Sequence, residues 1–207
     1  MATGAREETV RFPTGGGVLE GRLAVPDGAT DGAVLCHPHP EYGGDMDNIV
    51  VVSVAQALRT AGIATLRFNF RGVGASDGSF DGGRGESDDA RAALTVLRAR
   101  LHGGAPALVG YSFGALIALA VADDTMRLAA IAPPLAVADA PVAPAAATLV
   151  VVGDRDPFCP LPALTAVTAR WPRTRAVVLD GADHFFAEHT ARVGAEVAAF
   201  LGASRVA

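Results

Sequence analysis

The spacing of apolar positions changes along the chain, and the changes outline the elements. Thr9 to Pro13 and Val18 to Val25 carry strand-forming residues on either side of Gly15-Gly16-Gly17, which predicts an antiparallel opening hairpin. Ala33 to Cys36 is a short, unbroken apolar run ahead of a proline-rich loop, as a strand buried on both faces requires. From Asn48 to Ala61 apolar residues recur at helical spacing, and Gly62 stands where that helix should stop. Ile63 to Phe70 reads as the next strand. A glycine-rich loop from Arg71 to Gly85 follows, then an amphipathic helix over Asp88 to Leu101.

The alternation continues to the end. Ala107 to Val109, Leu128 to Ile131, Ala147 to Val152 and Arg175 to Leu179 read as strands. Phe113 to Ala122, Leu161 to Arg170 and Ala191 to Leu201 read as helices. Strands alternating with helices after an initial hairpin predict an α/β fold, with a mostly parallel sheet covered on both faces. Pro133 to Ala146 is rich in Pro and Ala and too short for a helical cap domain. With no internal repeat and no linker-like stretch, residues 1–207 read as one domain.

Composition narrows the function classes. The 207 residues are 50% hydrophobic and 19% charged, enough for a sizeable core. A net charge of -5 leaves no excess of cations to replace counterions along a nucleic acid, so phosphate-backbone binding is not expected. Cys36 and Cys159 cannot staple a chain this long and read as buried, reduced thiols. Ala2 to Glu8 has no basic-then-apolar leader pattern, and the apolar stretches break well before the roughly 18 residues of a membrane span. A soluble cytoplasmic protein, free of membrane and possible as a homodimer, is the expectation.

The chemistry is concentrated at the ends of the predicted strands. Gly110-Tyr111-Ser112-Phe113-Gly114 joins a strand directly to a helix. Such a turn forces the central serine into a strained backbone, and glycines two before and two after remove the side chains that would collide. The bare pattern is weak in a chain with 24 glycines, so the strand-before, helix-after context carries the reading. Ser112 is therefore the candidate nucleophile, against the plainer reading of a capping serine in a tight turn.

A nucleophile of this kind needs an acid and then a histidine later in the chain. Only His184 and His189 follow Ser112. His184 lies in a loop just beyond the last predicted strand, at the end where ligands bind parallel sheets, and is the candidate base. His189 falls near the start of the closing helix and reads as a cap-region residue. Gly153-Asp154-Arg155-Asp156-Pro157 ends the preceding strand. Asp156 is the candidate acid, because the chain can turn before presenting its carboxylate. Asp154 is the alternative and otherwise reads as a turn-former. Asp180 and Asp183 read as loop residues.

An acyl-transfer site also needs two N–H donors for the oxyanion. Phe113, after the nucleophile, supplies one. In His37-Pro38-His39-Pro40 the prolines have no N–H, and His37 is too close to the strand end, which leaves His39. The rival reading of His37 and His39 as a metal site, with His184 as a further candidate ligand and Glu41 nearby, lacks any established ligand spacing. No metal or cofactor is expected.

The segments VLCHPHPEYGGDMDN, RFNFRGVGASDGSFDGGRGE, GYSFGA, GDRDPFCP and GADHFF resemble the small bacterial α/β-hydrolases related to dienelactone hydrolases and other carboxylesterases. The likeness runs from about Leu23 to the last helix. It implies an α/β-hydrolase fold without a cap domain and the triad Ser112, Asp156 and His184. Dienelactone hydrolases themselves use a cysteine where this chain has Ser112. The chain also departs at Phe158-Cys159 and at Ala187-Glu188-His189, both near the expected pocket. Arg71 and Glu86 lie in the shared motifs and read as loop anchors. The expected activity is cleavage of a carboxylic ester or thioester through an acyl-enzyme. Acyl transfer or cyclisation with the same triad is the alternative, and a non-catalytic binding protein a third.

Overall fold

Thr14 pairs with Gly17 across a two-residue Gly15-Gly16 turn, closing β1 (Glu8–Thr14) antiparallel on β2 (Gly17–Ala24). The computed structural model describes residues 5–104, 106–139, 141, 146–171 and 173–203. After the hairpin come β3 (Gly32–Cys36), α1 (Ile49–Thr60), β4 (Ala64–Phe68), α2 (Arg84–Arg98), β5 (Pro106–Tyr111) and α3 (Phe113–Val121). The remaining elements are β6 (Leu128–Ile131), β7 (Thr148–Gly153), α4 (Leu161–Thr168), β8 (Thr174–Leu179) and α5 (Thr190–Gly202). The strands form one eight-stranded sheet in the order β1-β2-β4-β3-β5-β6-β7-β8. Among the described residues only the β1–β2 and β2–β4 pairings are antiparallel. The α/β class and the opening hairpin are thus as the sequence pattern predicts.

Strand alternation divides the core into two layers. Val34, Leu66, Leu108, Leu128 and Val150 face α2 and α3 together with Leu164 of α4. Leu35, Val109, Ala129 and Val151, one residue out of phase, face α1 and α5. Period-two side-chain alternation is what lets a strand that is apolar throughout serve two cores at once. The α1–α5 contact closes where Gly194 lies over Ser53 and Ala57, since a Cβ there would stand 3.0 Å from the Ala57 side chain.

The helix α2 starts at Arg84, four positions before the sequence expectation. Its start is hidden in the glycine run: Gly83 has φ 104°, and both carboxylate oxygens of Glu86 reach back, accepting from the N–H groups of Gly83 (2.7 Å) and Asp81 (3.0 Å). That satisfies donors a helix start leaves open. Arg71 grips Asp89 of the same helix through Nε (3.0 Å) and Nη2 (2.7 Å), while its backbone N–H donates to the same carboxylate. Both residues anchor the loop, as expected.

Arg67 is a second anchor. It donates to both oxygens of Glu7, to the Met46 carbonyl and to Asp47, fastening the start of the chain to the segment before α1. The expected uncapped stretch Pro133 to Ala146 contains no helix among its described residues, although positions 140 and 142–145 lie outside them. No helix among the described residues is long and apolar enough to cross a membrane. Both cysteines are free and buried.

Candidate active site

Ser112 sits between the last residue of β5 and the first of α3 with φ 55° and ψ -118°, a conformation side chains rarely adopt. Its own N–H donates to the Ile131 carbonyl of the neighbouring strand at 2.9 Å, which holds the turn in place. The flanking glycines are forced by backbone contact. A Cβ on Gly110 would stand 2.0 Å from the Gly114 carbonyl, and one on Gly114 would stand 2.2 Å from the Cys36 carbonyl. The second contact also seats the start of α3 against the end of β3, where the His-Pro-His-Pro loop begins.

The three candidate triad residues come together at the carboxyl ends of β5, β7 and β8. The Ser112 hydroxyl lies 3.0 Å from His184 Nε2, and His184 Nδ1 donates to Asp156 Oδ2 at 2.8 Å. Asp156 and His184 are buried. The second oxygen of Asp156 accepts from the N–H groups of Phe158 (2.8 Å) and Cys159 (3.1 Å), so the carboxylate is held by its own turn. A carboxylate fixed in this way holds the imidazole with its proton on Nδ1 and leaves Nε2 to accept from the serine.

The other acidic candidates are employed elsewhere. Asp154 accepts from the Gly181 N–H at 2.7 Å, tying the loop after β7 to the loop after β8. Asp183 accepts from the N–H groups of Phe185 and Phe186, at 3.0 and 3.1 Å, and so shapes the histidine loop. His189 caps the start of α5 by position, with no side-chain capping bond, and is half-buried.

One contributor escaped the sequence reading. Tyr111, an unspecified position in the Gly-x-Ser-x-Gly pattern, donates its hydroxyl to the His184 backbone carbonyl at 2.9 Å from a buried site. Burial first, then the carboxylates of Asp156 and Asp183, push its phenol well above the ordinary range, so it remains a donor.

The loop after β3 is built on His37. Its Nε2 accepts from the Phe70 N–H at 3.0 Å, and Nδ1 donates to the Pro38 carbonyl at 2.6 Å. Burial lowers its pKa to about 4, against a smaller opposing effect of the Pro38 bond, so the ring is a neutral strut. His39 Nδ1 accepts from the Glu41 N–H at 3.2 Å, and its ring packs against Tyr42, Phe80 and Phe113 at centroid distances of 4.7 to 5.0 Å. Among the described residues the backbone N–H groups of His39 and Phe113 donate to no protein acceptor. No group of three or more His, Cys, Asp or Glu side chains among them is placed to hold a metal ion. Burial pushes the Cys159 thiol up to about 12 and the Cys36 thiol further still, which leaves both protonated.

Comparison with known proteins agrees with this architecture. The family model for the alpha/beta hydrolase fold matches residues 34–133. The chain is 34% identical to an alpha-beta serine hydrolase homologue from Coxiella burnetii, over 95% of this chain and 98% of that one, with a TM-score of 0.85. It is 32% identical to an α/β serine hydrolase without a lid from Xanthomonas campestris, over 97% and 94% of the two chains, with a TM-score of 0.84. An uncharacterized protein of Rickettsia prowazekii is 41% identical over 124 residues, 58% of this chain; the match spans 52%, about half, of that relative. The chain belongs to the α/β-hydrolase family.

Proposed function

We propose that this protein is a serine hydrolase that cleaves a carboxylic ester or thioester through an acyl-enzyme on Ser112. The observation that carries the reading is the unbroken relay from Ser112 Oγ through His184 to Asp156, with contacts of 3.0 and 2.8 Å. His184 Nε2 takes the serine proton as Oγ attacks the carbonyl carbon, and Asp156 steadies the imidazolium. The N–H groups of Phe113 and His39 receive the oxyanion. As the carbonyl re-forms, the imidazolium gives its proton to the departing alcohol or thiol. Water, deprotonated by the same imidazole, then releases the acid. The cycle balances without a metal or cofactor. An acidic chain with two buried thiols suits the cytoplasm.

The match to relatives described as serine hydrolases, one of them without a lid, supports the same reading. The test is fluorophosphonate labelling of wild type and Ser112→Ala, beside turnover of p-nitrophenyl esters of graded acyl length. We expect labelling and turnover in wild type, and in the variant no labelling and a kcat at least about 10³-fold lower. An uncapped mouth gives a long acyl chain little wall to bury against, so kcat/KM should peak between acetyl and roughly hexanoyl. Labelling that survives in Ser112→Ala would move the nucleophile elsewhere.

A further inference from the structure

Two aromatic rings stand against the imidazole of His184 and still face solvent. Phe158 lies 4.7 Å from it between ring centroids and is 39% exposed, while Phe185 lies 5.6 Å from it, at 87°, and is 62% exposed. Phe186, which from sequence could have shared this wall, is instead fully buried and packs on Tyr111. Exposing two large apolar rings around one imidazole costs solvation, and neither ring belongs to the buried core.

Both rings are also presented by rigid backbone. The Phe158 N–H is bonded to Asp156 Oδ1 at 2.8 Å and the Phe185 N–H to Asp183 Oδ1 at 3.0 Å. The Phe158 carbonyl accepts from the Ala136 N–H at 2.9 Å, which brings the loop carrying exposed Val137 to the same side. A surface that is apolar, fixed and beside the catalytic base is pre-organised for a ligand, because little ordering entropy remains to be lost on binding.

Which ligand it takes follows from which half of an ester lies there. In the reaction proposed above, His184 Nε2 hands its proton to the leaving oxygen, so the group attached to that oxygen departs along the imidazole. The acyl half points away, toward the oxyanion donors. A flexible alkyl group on an open wall buries only one side and loses rotamer freedom in doing so. A flat, rigid ring covers the same wall with no such loss and adds ring–ring attraction. We infer that Phe158 and Phe185 form a leaving-group subsite for esters whose alcohol carries a planar aromatic ring. This inference rests on the serine-hydrolase reading for its orientation.

The experiment compares benzyl acetate with cyclohexylmethyl acetate, whose alcohols are similarly poor leaving groups and differ in the ring. Wild type should favour the benzyl ester in kcat/KM by about 2- to 10-fold. In the double variants Phe158→Ala/Phe185→Ala and Phe158→Leu/Phe185→Leu that ratio should fall to about 1. The leucine pair keeps an apolar wall and removes only the rings. A wild-type ratio near 1, or a ratio that survives both variants, overturns the subsite. A second arm needs no turnover: benzyl acetate titrated into Ser112→Ala protein should shift the Phe158 and Phe185 ring resonances at lower concentration than cyclohexylmethyl acetate does. If wild type hydrolyses neither ester and takes no fluorophosphonate label while this preference holds, the hydrolase reading fails and the aromatic subsite stands. Equal titration of the two esters rejects the subsite whatever the activity.

Discussion

Asp156 divides its carboxylate between two tasks: Oδ2 meets His184 Nδ1 at 2.8 Å, and Oδ1 accepts from the N–H groups of Phe158 and Cys159. The carboxylate of the neighbouring Asp154, two residues earlier on the same turn, accepts instead from the Gly181 N–H. The two aspartates are close in sequence, yet one is tied to the imidazole and the other to the loop beside it.

Replacement by asparagine separates them. In Asp156→Asn the amide can still accept from the turn, but it no longer offers a charge to the imidazolium or fixes the tautomer. We expect kcat on a short-chain ester to fall about 10³- to 10⁴-fold with an unchanged circular dichroism spectrum. In Asp154→Asn the amide oxygen can keep the Gly181 bond, and kcat should stay within about threefold of wild type. The reverse ranking in steady-state assays would transfer the role to Asp154.

Two adjacent glycines test whether the His39 loop contributes to rate. A Cβ on Gly44 would stand 2.1 Å from the Pro38 carbonyl and 2.7 Å from the His39 carbonyl, both backbone atoms that cannot swing aside. Gly44→Ala must therefore displace the segment whose His39 N–H we assign to the oxyanion, and kcat should drop about 10- to 10³-fold. Gly43→Ala meets nothing within 4 Å and suffers only its φ of 78°. That variant should lose about 1–2 kcal/mol of stability and keep most of its activity. Equal activity in the two proteins would remove His39 from the mechanism.

How far the sequence reaches is visible in these same residues. The strained turn at Ser112 was legible because the strand–helix junction leaves a spacing of glycines that backbone crowding dictates. That His184 and Asp156 would lie beside it followed from chain order and from their places beyond strand ends. The start of α2 was not legible, because its cap is formed by Glu86 reaching back over glycines that read as loop. Tyr111 was not legible either, since no local pattern reports a hydroxyl that bonds a carbonyl 73 positions away. Arg67 shows the same limit: its motif was conspicuous, but Glu7 and the Met46 carbonyl meet it only through the fold.

The Tyr111 contact makes a further prediction. Tyr111→Phe leaves the His184 carbonyl buried without that donor, which should cost about 1–3 kcal/mol in urea denaturation. The imidazole sits on that peptide, so kcat should fall about 3- to 30-fold as the loop loosens, while KM changes little. Loss of stability with kcat fully retained would make Tyr111 a structural residue only.

His37 gives the protein an acid sensitivity that can be assigned to one side chain. Its ring is buried and neutral, with both nitrogens committed to the Phe70 N–H and the Pro38 carbonyl. Burial holds its pKa at about 4, while an unfolded histidine titrates near 6.5. Between those values the unfolded chain binds a proton that the folded chain refuses. Stability must therefore fall as pH drops through this window, by up to about 3 kcal/mol, and be unaffected by this residue above it. Glu7 acts in the same direction but lower on the scale: its hydrogen bond to Arg67 holds its carboxyl below the ordinary value of 4.5, so its contribution is lost only as pH falls from there. Urea midpoints measured from pH 7 down to 5 thus separate the histidine from Glu7. His37→Gln, whose amide oxygen can still accept from Phe70, should start less stable than wild type and show a flatter profile over that range. Parallel profiles for the two proteins would mean that another group carries the acid response and that His37 is not the strut we describe.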